Sequence, residues 1–255
     1  MRRIWYDPHA APYHAPGHPT GPINRYEAYR NIGMTVTLDE IYQRLHDVYG
    51  PQNWWPAESS FEVIVGAILV QNTAWNNAQL AIQNLRDADL LTSERLYDLP
   101  LEELEPLIRS AGYYRMKARR LRNVLDHLHK HYQGSVDRFF DLDTETLRRE
   151  LLSINGIGPE TADSILLYGA LRPVFVVDAY TNRVLKRHRL IDYDAGYDEL
   201  QSHFHSHLEK SVPLYNEFHA LIVRVGHLHC RKTPQCEKCP LEEWIPDGGI
   251  CLPEK

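Results

Sequence analysis

The sequence predicts an all-α protein made of two helical subdomains, with a cysteine-ligated metal-cluster loop near its C-terminal end. Three observations carry that prediction. Apolar residues recur at helical spacing through most of residues 37–228, and Ser, Thr or Asp stands ahead of several of these runs. Only short extended pieces interrupt them, such as Val174-Phe175-Val176-Val177. All four cysteines fall in the last 26 of the 255 residues, which in a reducing compartment favours a metal over disulfides.

The elements follow in order. Residues 1–34 are rich in Pro and His and lack an apolar signal core, so they read as a flexible extension rather than a secretory signal; Met34 is an alternative start. Thr37-Leu38-Asp39-Glu40 has the form of a capping box and opens a helix through Val48. Residues 51–56, with Trp54 and Trp55, form a loop. Ser59 or Ser60 caps the apolar helix FEVIVGAILVQ, and further helices are expected over 76–85, 101–110 and 117–131, with Gly112 as a turn. Helices over 144–154 and 160–171 flank the turn Gly156-Ile157-Gly158, and three more are expected over 178–189, 197–208 and 213–228. A change of character near Arg172-Pro173 reads as a crossing between two helical subdomains. No apolar run is long enough to span a membrane. The reading is of a monomeric cytoplasmic protein, neither secreted nor membrane-bound.

The net charge of −6 argues against indiscriminate nucleic-acid binding, so local geometry has to carry any such contact. The Gly156-Ile157-Gly158 turn supplies it. Glycine lets a bulky partner approach the backbone, and Pro159 suits the first position of the helix that follows. Free N–H groups and the positive end of that helix meet at one spot, which suits a phosphate. The bland alternative is an ordinary helical hairpin.

This turn, its flanking helices and Asp178 resemble the helix–hairpin–helix DNA glycosylases of the endonuclease III superfamily. The resemblance covers about Thr35 to the C-terminus. It implies a helical barrel subdomain over 56–172 that carries the hairpin, a second subdomain of 35–55 plus 173–255, a DNA-binding cleft between them, double-stranded DNA with a damaged base as partner, and association with the nucleoid. Gly156, Ile157 and Gly158 would hold the DNA backbone. Asp178, eighteen residues beyond Glu160 (178 − 160 = 18), matches the catalytic aspartate in its spacing. Its bland role is an N-cap for AYTNRVLKR. Glu160 occupies the position where family members with lyase activity carry lysine. An amine there would form a Schiff base; a carboxylate cannot, which implies a monofunctional enzyme. Lys117 and Lys186 are the substitutes to weigh.

Trp54-Trp55-Pro56, Gln71-Asn72-Thr73-Ala74-Trp75 and the hairpin glutamate together resemble the 3-methyladenine DNA glycosylase III type. Gln71 would fill the stack vacated by a flipped nucleotide. Trp75, Trp54 and Trp55 would form a base pocket, where aromatic faces attract a cationic alkylated purine; core packing is the competing role. The basic run Arg115, Lys117, Arg119, Arg120, Arg122 resembles a region that approaches DNA, with Lys117 as the backbone contact, although such a run is as often a solvated face.

Cys230, Cys236, Cys239 and Cys251 keep the central CxxC-P of the superfamily's [4Fe–4S] loop. The outer gaps are five and eleven residues rather than six and five. An iron–sulfur cluster is favoured and zinc is the alternative; the loop would present Arg231 and Lys232 to phosphate. His203, His205 and His207 are taken as surface residues and His219 as structural. Three readings compete with alkylated-base removal. They are an oxidised-pyrimidine glycosylase with abasic-site cleavage, a non-catalytic damaged-DNA binding module, and, more remotely, a cluster-based redox sensor.

Overall fold

The computed structural model describes residues 36–252, so the 1–34 extension and Met34 lie outside the described residues. Among the described residues there are twelve α-helices and no β-strand. They divide into two compact units, one of residues 55–174 and one of residues 36–54 with 175–252.

The first unit is a helical barrel. Helix α2 (Ser60–Leu69) is buried on nearly every side, as expected of a helix apolar all round. Ser59 is its N-cap, accepting from Glu62 N at 3.1 Å. Ser60 is thereby freed to donate from Oγ to Gly169 O at 3.1 Å. Around it pack α3 (Trp75–Asp87), α4 (Ser93–Asp98), α5 (Leu101–Leu107), α6 (Tyr114–Tyr132), α7 (Val136–Phe140), α8 (Thr144–Ser153) and α9 (Pro159–Ser164). Ile64, Ile68, Leu85, Leu121, Leu125, Leu151 and Ile165 belong to one continuous core. Each such side chain contributes about 1.5–3 kcal/mol through burial.

The boundaries depart from the sequence reading in three places. Helix α6 begins at Tyr114, ahead of the expected 117, because Gly112 and Tyr113 both take positive φ (67° and 47°) and turn the chain sharply into it. Helices α4 and α7 were not anticipated, although Thr92 and Ser135 cap them by accepting from Arg95 N and Arg138 N. The helix expected over 160–171 is α-helical only to Ser164; Ile165–Gly169 is a π turn, with Ala170 N bonded to Ile165 O at 2.9 Å.

The second unit starts with α1 (Leu38–Tyr49). Its capping box forms as the sequence indicates: Thr37 Oγ1 accepts from Glu40 N at 3.2 Å, and Thr37 N donates to Glu40 Oε2 at 2.7 Å. Helix α12 (Val212–Leu228) packs on α1 and on α10 (Ala179–Arg187). Gly226 lets α10 approach: a Cβ there would lie 2.4 Å from Tyr180 Cδ1. Residues 174–177 are extended but pair with no strand. Helix α11 (Tyr197–His207) serves the stretch from Phe175 instead, through side chains one turn apart. His205 Nε2 accepts from Phe175 N at 2.9 Å, Gln201 Nε2 donates to Phe175 O at 2.7 Å, and Val177 N donates to Tyr197 Oη at 3.5 Å. The stacked rings of Phe175 and Phe204, 3.6 Å between centroids, anchor the same segment.

Candidate active site and nucleic-acid interface

The hairpin consists of α8, the turn 154–158 and α9. Ile154 and Ile157 turn inward, 5% and 6% exposed; Gly158 is exposed, while Gly156 is partly covered. The two glycines have different reasons. Gly156 sits at φ +98°, where a side chain is strained. Gly158 is extended (φ −97°, ψ 178°) as the N-cap of α9, and a Cβ there would meet nothing within 4 Å. Nothing inside the fold requires glycine at 158. Pro159 takes the first helical position, as expected. Across the hairpin, Arg148 grips the fully buried Asp163 with Nε–Oδ1 2.6 Å and Nη2–Oδ2 3.0 Å. This ion pair was not identified from sequence; the signal was an acid on the apolar face of a helix, Ala162-Asp163-Ser164-Ile165.

Gln71 follows the end of α2 and turns its side chain onto the hairpin. Nε2 donates to Gly156 O at 3.1 Å and to Thr161 Oγ1 at 2.9 Å, while Oε1 accepts from Arg120 Nη1. Trp75, half-buried at the start of α3, meets Trp55 edge-to-face at 4.7 Å between centroids. Trp55 is 8% exposed and lies against Gly66 of α2, where a Cβ would come within 3.1 Å of Cζ2. Tyr168, on the π turn, adds a third ring 5.1 Å from Trp55. Tyr168 was missed because it reads as an ordinary core position of a regular helix. Trp54 belongs to the second unit and is half-buried. Glu160, the second residue of α9, is exposed.

Lys117 requires correction. It is 1% exposed, and Nζ donates to Leu69 O at 2.8 Å and Ala111 O at 2.7 Å. Burial, with a smaller repulsion from Arg120, lowers its pKa to about 8. It binds the carbonyls at the end of α2 and at the turn before α6 and offers no exposed charge to a phosphate. Arg122 is likewise tied down, by Tyr97 O and Leu99 O. Arg115 and Arg119 are the exposed members of the run.

In the second unit Asp178 is the N-cap of α10. Its Oδ1 accepts from Thr181 N at 2.7 Å and from Thr181 Oγ1 at 2.9 Å. Its Oδ2 faces His219 Nε2, 3.9 Å away. Burial holds the His219 pKa below the usual histidine value, and Asp178 opposes that shift. The three histidines read as surface residues are only partly exposed. His203, His205 and His207 are half-buried; burial, with His207 adding to it, brings His203 down to about 4.

The four cysteines are unpaired thiols. Buried Arg187, at the end of α10, organises their loop. Its Nη1 donates to Cys230 Sγ at 3.2 Å and Arg231 O at 2.6 Å, its Nη2 to Lys232 O at 3.0 Å, and its own carbonyl accepts from Cys251 N at 3.0 Å. Burial pushes Cys236 up, with Cys230 adding to it, and pushes Cys239 up to about 11, with Cys236 and Cys230 contributing. Among the described residues no group of three or more His, Cys, Asp or Glu side chains is arranged to hold a single metal ion. No helix among them is long and apolar enough to cross a membrane.

A helical hairpin whose exposed Gly158 opens a helix is an element suited to holding a phosphate. Residues 65–210 match the model of the HhH-GPD superfamily of base excision DNA repair proteins, and the chain belongs to that family. It is 49% identical over 207 residues to a Methanocaldococcus jannaschii protein that carries a provisional DNA repair glycosylase name, spanning 80% of this chain and 94% of that one. Among solved structures it is similar to a Helicobacter pylori 3-methyladenine DNA glycosylase bound to 1,N6-ethenoadenine (TM-score 0.66, 30% identity, 75% of this chain and 98% of that one). It is also similar to endonuclease III in a non-covalent DNA complex (TM-score 0.70, 25% identity, 82% of this chain and 95% of that one). The protein is a base-excision DNA glycosylase of the endonuclease III-like type.

Proposed function

We propose that this glycosylase removes alkylated purines, with 3-methyladenine the leading substrate, and that it is monofunctional. The observation that carries the reading is Glu160. The hairpin position that would need an amine for strand cleavage holds an exposed carboxylate, and one of the two substitutes, Lys117, is buried with its Nζ committed to two carbonyls. The ring cluster of Trp75, Trp55 and Tyr168 supports a cation-attracting aromatic pocket. The similarity to a 3-methyladenine glycosylase supports the same choice.

In this reading the hairpin N–H groups and Gly158 take the DNA backbone, where the missing side chain leaves room for a phosphate. Gln71 occupies the emptied stack. The C1′–N bond breaks and its electron pair leaves with the base, which is neutral on departure if it was a cation before. Asp178 stabilises the positive charge left on the sugar. Water adds its oxygen to C1′ and passes a proton to Asp178 or to solvent, leaving an abasic site. The protein works as a monomer on double-stranded DNA.

We also propose that the four cysteines hold a [4Fe–4S] cluster, with zinc as the alternative. Burial raises Cys236 and Cys239 against ionisation, and metal coordination is what deprotonates a thiol outright. Arg187 supplies a positive partner to the sulfurs. The cluster's part is to hold the loop and keep exposed Arg231 and Lys232 in place. Purified protein that is brown and contains iron supports the cluster; colourless protein containing zinc replaces it.

The test of activity is release of free bases from alkylated duplex DNA, with strand breaks scored before and after alkali. Base release with breaks only after alkali supports the reading. Breaks before alkali would overturn the monofunctional assignment. Release from oxidised-pyrimidine duplex alone would overturn the alkylated substrate.

A further inference from the structure

We propose that Arg120 is a positioning residue that fixes Gln71 against the hairpin, so that the grip on the DNA backbone and the filling of the emptied stack act as one preformed unit. The inference rests on the role given above to Gln71. Arg120 touches both parts. Its stem lies directly over Gly156, where a Cβ would come 2.4 Å from Cγ, 2.9 Å from Cδ and 3.1 Å from Nε. Its Nη1 donates to Gln71 Oε1. Gln71 completes the circuit through Nε2, to Gly156 O at 3.1 Å and Thr161 Oγ1 at 2.9 Å.

The amide orientation follows from chemistry. Guanidinium only donates, so it must face Oε1. The carbonyl of Gly156 only accepts, so it must face Nε2. Both ends of the Gln71 side chain are thus held, and its rotamer is set before DNA arrives. Ordering a free glutamine side chain would otherwise oppose binding. Glutamate at 71 could keep Arg120 but would lose both donations to the hairpin. A side chain at 156 would displace Arg120, so the glycine serves this contact as well as the positive φ of the turn.

The experiment compares wild type, Gln71→Ala, Arg120→Met, Arg120→Lys and the Gln71→Ala/Arg120→Met double variant. The readout is the ratio of dissociation constants for intact duplex and for the same duplex with a stable abasic-site analogue. Fluorescence of 2-aminopurine beside the analogue reports insertion. Arg120→Met is expected to lower the abasic preference about five- to tenfold, Gln71→Ala by at least as much, and the double variant no further than Gln71→Ala alone. Arg120→Lys, which keeps one donor, should recover part of the loss. A merely structural residue would weaken binding to both duplexes equally and leave the ratio unchanged, which would overturn the proposal. So would a rise in preference, or a loss that persists in full in the Gln71→Ala background with a shallower salt dependence, since that marks a direct phosphate contact. If Gln71→Ala itself leaves the ratio unchanged, the stack-filling role fails and this inference fails with it. If only the Arg120 variants leave it unchanged, the role of Gln71 stands and Arg120 alone is discarded.

Discussion

Asp178 faces two residues at once: Oδ1 caps helix α10 through Thr181 N at 2.7 Å, while Oδ2 lies 3.9 Å from His219 Nε2. One oxygen serves the fold and the other faces a buried imidazole. The two duties proposed for the aspartate can therefore be separated by choice of substitution. Asn caps a helix about as well as Asp, whereas Ala costs about 0.5–2 kcal/mol. Asp178→Asn should keep the thermal midpoint and the affinity for duplex DNA while base release falls by about 10²–10⁴-fold. Normal turnover by this variant, measured on alkylated duplex, would sink the catalytic assignment.

The hairpin should depend on Arg148 and Asp163. Asp163 is fully buried and bonded twice by a partly exposed guanidinium. Asp163→Ala strands that cation, at a cost of about 2–4 kcal/mol once partial solvation of Arg148 is allowed for. Denaturant unfolding would check this. A loss under half a kilocalorie would show that the pair contributes little to the hairpin.

Lys117 is predicted to matter for stability and not for chemistry. Lys117→Met leaves Leu69 O and Ala111 O without their donor, costing about 1–3 kcal/mol for each carbonyl left dry. Borohydride should trap no covalent complex between wild-type protein and an abasic duplex. The pH dependence has a definite sign. The folded pKa is about 8 and the ordinary value 10.5, so between these values the unfolded chain holds a proton that the folded chain has released. The contribution of this group to stability therefore rises with pH across that window. Thermal midpoints of wild type relative to Lys117→Met should diverge upward from pH 8 to pH 10.5, and a falling difference would contradict the assignment.

The two tryptophans of the cluster should separate. Trp55 is buried against Gly66 and is a core residue, so Trp55→Ala should cost about 3–5 kcal/mol of stability. Trp75 is half-buried. Trp75→Ala should spare the fold and weaken binding of duplex carrying an alkylated purine by about 5- to 150-fold, the worth of one stacking face. Equal stability losses in both variants, with unchanged affinity, would make Trp75 a core residue too.

The legible features were those written locally. Thr37 and Glu40, the serine cap at 59 or 60, and Pro159 act through neighbours within about one turn, so order and spacing suffice to read them. Family membership was legible for the same reason, since the hairpin, Glu160 and Asp178 keep a fixed spacing along one stretch of chain.

The tertiary structure alone decided matters that depend on what a distant segment brings. Lys117 looked like one cation in a basic run, and only the packing of α2 against α6 reveals that two carbonyls claim it. Arg187 ends helix α10, yet it reaches Cys230, 43 residues on. His205 is set by the extended backbone at Phe175, 30 residues away, and not by the histidines beside it. Sequence by itself determined most of the helices, the turn and the class of chemistry, because propensity, capping and motif spacing are short-range. Burial and hydrogen-bond partners are long-range, so only the folded chain assigned structural duty to Lys117 and Arg187 and joined Gln71, Arg120 and Gly156 in one network.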